Sequence, residues 1–176
     1  NLTISVAPLT VTADNKSKTY DGAVYSPFTV SYSGFVNGDT PASLGGTLAF
    51  SGTATTAINV GTGYVITPSG LTSSNYTITF VSGTLDINTR AITITADAKS
   101  KVYGAADPAL TYQITSGTIV SGDTPTGALS RDAGENVGAY AINKNTLTYG
   151  TNYAETYVSA NLTISVAPLT VTADNK

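Results

Sequence analysis

The 176-residue sequence predicts a mostly β protein built from small tandem modules, with little or no helix. Three observations predict it. Threonine and other β-branched residues alternate with aliphatic ones, the period-2 pattern of half-buried strands. Glycine, present 17 times, punctuates these runs as turns do. The chain also repeats itself: NLTISVAPLTVTADNK, residues 1–16, recurs unchanged as residues 161–176. Exact recurrence over that length signals a tandem array, here with a period of 160 residues,.

The elements follow in order. Leu2, Ile4 and Val6 alternate with Thr3 and Ser5 and read as one strand,. Pro8 has no N–H, so it is expected to interrupt the ladder and stiffen a joint. Leu9, Val11 and Ala13 then start a new phase. Lys-Ser-Lys-x-Tyr occurs at residues 16–20 and 99–103. It reads as a second strand with exposed lysines and with Tyr20 and Tyr103 turned inward. Further strands are expected near residues 28–35, 47–51, 64–67, 76–81 and 84–87. The later ones fall near 109–114, 139–142, 153–158 and 162–166. Gly-Asp-Thr-Pro, at 38–41 and 122–125, is the one helix-like signal, with Asp39 or Asp123 capping a single turn. The expected core comprises Val11, Tyr20, Phe28, Val30, Leu48, Phe50, Ile66, Ile78, Phe80, Leu85 and Ile87. Its counterparts are Ile94, Tyr103, Leu110, Ile142, Tyr157, Leu162 and Ile164.

A shorter period lies inside the long one. LTVTADNKSKTYDG at residue 9 parallels ITITADAKSKVYGA at residue 92, and GDTP recurs. NYTITFVSGTLDI at residue 75 parallels NYAETYVSANLTI at residue 152. The boundaries follow from these matches. Residues 1–8 read as the last strand of a preceding module and a linker. Residues 9–88 form a first module and 89–167 a second. Residues 168–176 read as a linker and the first strand of a next module. Joints fall at Pro8, Arg90 and Pro168. The flanking strands, carried by Leu2, Ile4, Val6, Leu169 and Val171, are candidates for assembly by strand addition.

Composition narrows the function. Charged residues make up 11% and the net charge is −3, which argues against nucleic acid and against a polybasic membrane anchor. No apolar run approaches the roughly 18 residues of a membrane span. Without His or Cys, the common catalytic dyads and zinc sites are absent. The eleven carboxylates are scattered, no segment proposes a catalytic pair, and no enzyme activity is expected,. No cofactor is expected either. Calcium at a joint, drawing on Asp14, Asp21, Asp39, Asp97 and Asp123, is the alternative, although the loop spacing of a calcium motif is missing. A Lys–Asn isopeptide bond at the repeated Lys-Ser-Lys pattern is a second alternative. A sugar-binding face of Tyr20, Tyr25, Tyr32, Tyr64 and Tyr76 is a third, against the plainer reading that these rings plug the core edge.

The ordered segments SKTYDGAVYS, YSGFVNGDTPASLGGTLAFSG and NVGTGYVITPSGLTSSNYTITFVSGTLDI resemble the YDG-type MBG domain. SKVYGAADPALTYQITSGTIVSGDTPTG, NVGAYAI and NYAETYVSANLTI resemble its YGX-type sister. The second module has Tyr103-Gly104-Ala105 for Tyr-Asp-Gly and lacks PSGLTSS, so its last loop is expected to be shorter. The resemblance implies β-grasp-like or β-sandwich-like modules in an elongated array. It also implies an extracellular, bacterial cell-surface setting in filamentous-haemagglutinin-like adhesins. There the modules would be stalk or filament segments in adhesion and biofilm, with no catalytic residues. The implied partners are neighbouring repeats and other copies, laterally or end to end. The alternative is a carbohydrate-binding module that contacts matrix or host glycans.

Overall fold

The computed structural model describes residues 1–174. The last two residues of the second NLTISVAPLTVTADNK copy lie outside that range. The chain divides into two compact units, Asn1–Arg90 and Ala91–Lys176. The first carries strands β1 (Ala7–Ala13), β2 (Lys16–Thr19), β3 (Val30–Ser33), β4 (Gly45–Ser51), β5 (Gly61–Thr72), β6 (Tyr76–Val81) and β7 (Gly83–Asn88). They form two sheets, ordered β3-β1-β6 and β2-β7-β5-β4. Strand β1 runs antiparallel to β3 and parallel to β6, while β7 runs parallel to β2 and antiparallel to β5.

The second architecture repeats the first. Its strands are β8 (Arg90–Ala96), β9 (Lys99–Val102), β10 (Tyr112–Ser116), β11 (Ser130–Arg131), β12 (Gly138–Asn143), β13 (Tyr153–Val158) and β14 (Ala160–Ser165). Their orders are β10-β8-β13 and β11-β12-β14-β9. Two three-residue 3-10 turns, Pro41–Ser43 and Thr53–Thr55, are the only helical pieces among the described residues. The mostly β expectation is met, with two sheets in each unit.

Alternation explains which residues are buried. Leu9, Val11 and Ala13 face inward from β1, and Ile92, Ile94 and Ala96 do so from β8. Leu85 and Ile87 of β7 and Leu162 and Ile164 of β14 fill the opposite sheets. Around Leu9, Val11 and Tyr76 pack Val30, Tyr32, Phe35, Ile78 and Phe80. Because successive side chains point to opposite faces, these apolar positions land inside and the threonines between them are less buried.

Several expectations need correction. Residues 1–6 form no strand, and neither do residues 166–174. Pro8 does not interrupt a ladder. It lies within β1, opposite Thr77 of β6, and β3 pairs with β1 only from Thr10 onward. The missing N–H therefore falls where the strand has no β3 neighbour, a position proline tolerates. The lysines of β2 and β9 are on the inward phase, with Lys101 buried. Tyr103, expected in the core, is half exposed, whereas Tyr20 is buried. Phe28, Val30, Leu48, Phe50, Ile78, Phe80, Leu110 and Tyr157 are half-buried rather than fully enclosed. The PSGLTSS stretch mostly extends β5 instead of forming a loop. The second unit therefore has a shorter strand, β12, and a longer loop, residues 144–152 against 73–75.

Gly34 and Gly117 hold matching positions against the starts of β1 and β8. Both have positive φ, at 114° and 75°. A Cβ would lie 2.5 Å from the Pro8 carbonyl oxygen in one case and 2.3 Å from that of Ala91 in the other. Glycine alone fits there.

Leu85 is fully buried at the centre of the first unit. Leu85→Ala should lower that unit's unfolding free energy by about 2–5 kcal/mol. Urea titration with tyrosine fluorescence as the readout checks the figure.

Candidate functional site

The candidate assembly residues lie on the repeated segment, which adopts two conformations in one chain. In its first copy, Leu9 and Val11 are buried in β1 while Leu2 and Ile4 are 91% and 87% exposed. In its second copy the pattern inverts: Leu162 and Ile164 are buried in β14, while Leu169 and Val171 are 88% and 86% exposed. The chemistry is the same in both places, so the difference is the presence of neighbouring strands. Strand β1 lies between β3 and β6, and β14 lies between β12 and β9. Residues 1–6 and 169–173 have no such slot within the chain. Val6 is also exposed. Residues 4–7 border an open groove of about 280 Å³ whose other wall includes Asn37, Asp39, Asn75 and Tyr76.

The joint inside the chain is short. Strand β7 ends at Asn88 and β8 begins at Arg90, leaving Thr89 alone between them. The Arg90 guanidinium donates to the Tyr20 carbonyl oxygen at 3.2 Å. The matching position after β14 is Ala167, which has no such donor, and Pro168 is exposed outside any strand.

The sequence signals GDTP and Asn-Tyr prove to be two halves of one lock. The Tyr76 hydroxyl donates to Asp39 Oδ2 at 2.7 Å and accepts from the Val36 N–H at 3.1 Å. The Tyr153 hydroxyl donates to Asp123 Oδ2 at 2.6 Å and accepts from the Val120 N–H at 2.9 Å. Thus neither aspartate caps a helix. Thr40 stands at the N-cap of the first turn, and the second motif forms no helical turn. The locks pin a long loop to β6 and to β13, both of which flank a central strand.

The other carboxylates are occupied separately. Asp14 accepts from Thr29, Asp97 from Thr111, and Asp21 from Lys18 and the Ala23 N–H. No group of three metal-ligating side chains occurs among the described residues. Asp39 and Asp123 bond to Tyr76 and Tyr153, so each of the five aspartates weighed for calcium has a partner within its own unit. Of the tyrosines weighed as a sugar face, Tyr20 and Tyr76 are buried, Tyr25 stacks near Phe28, Tyr32 near Phe35, and the Tyr64 hydroxyl donates to the Asn59 carbonyl. They plug core edges and do not form one platform.

The second unit carries an ionic cluster that the sequence did not reveal. Lys101 Nζ donates to Asp107 at 2.6 Å and to Glu135 at 2.5 Å. Arg131 grips Asp107 through two nitrogens, at 2.6 and 3.2 Å, and also pairs with Glu135. Its remaining donor reaches the carbonyls of Asp132 and Gly134, and its guanidinium stands over the Tyr140 ring. No asparagine is among the hydrogen-bond partners of Lys101. The hydrogen bonds from Arg131 and then Lys101 hold the Asp107 carboxyl down at about 2. Those from Lys101 and Arg131 also hold Glu135 below its usual range. In β13, Glu155 replaces the apolar Ile78 of the first unit. Burial pushes its pKa up, but hydrogen bonds from Lys144, the Tyr149 N–H and Thr148 outweigh this and leave it lowered.

The MBG domain (YGX type) model matches the chain twice, over residues 9–86 and 92–163. The chain belongs to the MBG domain family. Both MBG modules match the YGX-type description, so the match does not set the first apart as a YDG type. The family is a repeat domain generally associated with adhesins. No curated protein matches the chain. Among the described residues, no helix is long and apolar enough to cross a membrane.

The ionic cluster makes a directional prediction. Lowered carboxyl pKa values stabilise the fold above the unfolded-state values and lose that contribution as pH falls through the folded ones. Between roughly pH 5 and pH 2 the second MBG module should therefore lose stability. In Asp107→Asn that acid-dependent part should shrink. Thermal unfolding by circular dichroism across that range checks both.

Proposed function

We propose that this chain is a spacer repeat of a secreted bacterial adhesin or biofilm-matrix protein, stacking with like modules along a stalk or filament and catalysing nothing. The observation that carries the reading is the repeated segment. One half of it closes a module and the other half opens a module, with Val6 or Val166 between the halves. Such a segment suits a chain in which every module is followed by another. Repeat arrays of this kind draw stability from their own cores and from neighbour contacts.

Several features agree with this reading. Most of the carboxylates accept from tyrosine, threonine, lysine or arginine side chains, and Tyr20, Tyr76 and Tyr153 are buried. The joint between β7 and β8 is a single residue, Thr89. Threonine and serine are the commonest residues at the exposed positions of the strands, a wettable surface with little chemistry of its own. The extracellular setting rests on the family's association with adhesins.

Small-angle scattering of a concatemer of two 160-residue repeats tests the spacer. The maximum dimension should grow nearly in proportion to repeat number, with no saturable binding on a glycan array. A compact particle of unchanged length, or saturable glycan binding, would replace the spacer with the carbohydrate-binding alternative.

A further inference from the structure

The Tyr76–Asp39 lock encloses a chemically labile pair that the matching lock of the second module lacks. We propose that Asn37 converts itself, without an enzyme, to isoaspartate and aspartate by attack of the Gly38 backbone nitrogen, and that this modification loosens the lock of the first MBG module alone.

The loop between β3 and β4 places the reacting groups. Asn37 has a φ of 56° and Gly38 one of 78°, and the Asp39 N–H donates to the Val36 carbonyl oxygen at 3.0 Å. Positive φ at both central residues, with Asn before Gly, is the type I′ arrangement. The turn is fastened at its ends, where the Val36 N–H donates to the Tyr76 hydroxyl and that hydroxyl donates to Asp39. Its centre is open. Asn37 and Gly38 are both exposed, and among the described residues no hydrogen bond holds the Asn37 side chain or the Gly38 N–H. A Cβ on Gly38 would meet nothing within 4 Å, so no neighbouring element restrains this peptide. The missing side chain of glycine also leaves its nitrogen open to close approach.

The chemistry balances with water alone. Loss of the Gly38 amide proton lets that nitrogen bond to the side-chain carbonyl carbon of Asn37. The bond from that carbon to its own nitrogen breaks, and ammonia leaves with the proton. A cyclic succinimide results. Water then adds to one of the two ring carbonyls, and the C–N bond there breaks. Opening at the side-chain carbonyl gives aspartate. Opening at the main-chain carbonyl gives isoaspartate, which carries the backbone through one extra carbon. Nothing is oxidised or reduced.

Three other positions show why the site is specific. Asn145 is also exposed with positive φ, at 48°, but Thr146 follows it, and a β-branched side chain crowds the attacking nitrogen. Asp21 precedes Gly22, but its carboxylate accepts from Lys18 and from the Ala23 N–H. The Lys18 hydrogen bond keeps it ionised below its usual range, and a carboxylate is a poor electrophile. The residue matching Asn37 is Ser121, which has no amide, although Gly122 follows it and the Asp123 N–H donates to the Val120 carbonyl at 3.1 Å. One lock therefore stands beside a reactive pair and the other beside an inert one. Either product adds a negative charge close to Asp39, and isoaspartate also lengthens the turn that aligns Val36 with Asp39.

Incubation of the whole chain at mildly alkaline pH tests the proposal, read by peptide mass mapping and by methyl acceptance with isoaspartyl methyltransferase. The peptide containing residue 37 should gain about 1 Da and become a methyl acceptor at least about tenfold faster than any other asparagine site. Asn37→Gly, which keeps positive φ but carries no amide, should show neither change at that peptide. Hydrogen exchange read by mass spectrometry should then show residues 35–40 and β6 less protected in the incubated chain. Residues 119–124 and β13 should be unchanged, and incubated N37G should be unchanged throughout. The proposal is overturned if residue 37 gains mass no faster than the other asparagines, or if the modified chain keeps full protection at β6.

Discussion

Each module depends on one constraint: its first and last strands are interior strands of its two sheets. Strand β1 has neighbours on both sides, and so does β7; β8 and β14 repeat the arrangement. An interior strand needs partners for both rows of backbone groups and cover for its apolar face. The chain meets this by bringing its two ends into the middle of the module and wrapping the rest around them. Parallel pairing of β1 with β6, and of β2 with β7, follows, since each pair joins distant parts of the module in the same direction. Such non-local pairing is slow to form but leaves neither terminal strand at an edge.

That constraint gives the repeated segment its character. Its alternating apolar residues must serve two successive interiors, with Pro at the change-over. The segment folds wherever a slot is present and stays extended and exposed where none is. The Tyr76–Asp39 and Tyr153–Asp123 locks support the same interiors from outside by fixing the strands that flank β1 and β8. The Lys101 cluster performs a related task with charge, tying two loops to β9. In the first module Lys18 makes only local bonds, to Asp21 and Ala23. The modules thus share a plan and differ in how their loops are held.

Much of the fold was legible in the sequence because alternation is a local signal. Strands β6 and β13 fall where the pattern places them, and Leu85, Ile87, Leu162 and Ile164 are buried as it requires. What escaped depends on distant partners. Lys101 reads as a surface residue until Asp107 and Glu135 are brought to it, since a buried ammonium is tolerable only when paired. Tyr103 repeats Tyr20 in sequence, yet burial is set by surroundings and not by motif. Asp39 and Asp123 read as helix caps because their tyrosine partners lie 37 and 30 residues away. Gly34 and Gly117 sit in ordinary Ser-Gly pairs, and only the approach of another strand's carbonyl shows why they are glycine. The repeated segment was recognisable from exact repetition, but its two conformations were not.

The central claim is that identical sequence is ordered or not according to whether a slot exists. Amide hydrogen exchange by NMR tests it most directly, because identical local sequence gives the two copies closely similar intrinsic exchange rates. Thr10 to Ala13 should exchange orders of magnitude more slowly than Thr170 to Ala173, and Leu162 to Ile164 more slowly than Leu2 to Ile4. Equal protection of the two copies in dilute solution would contradict the account.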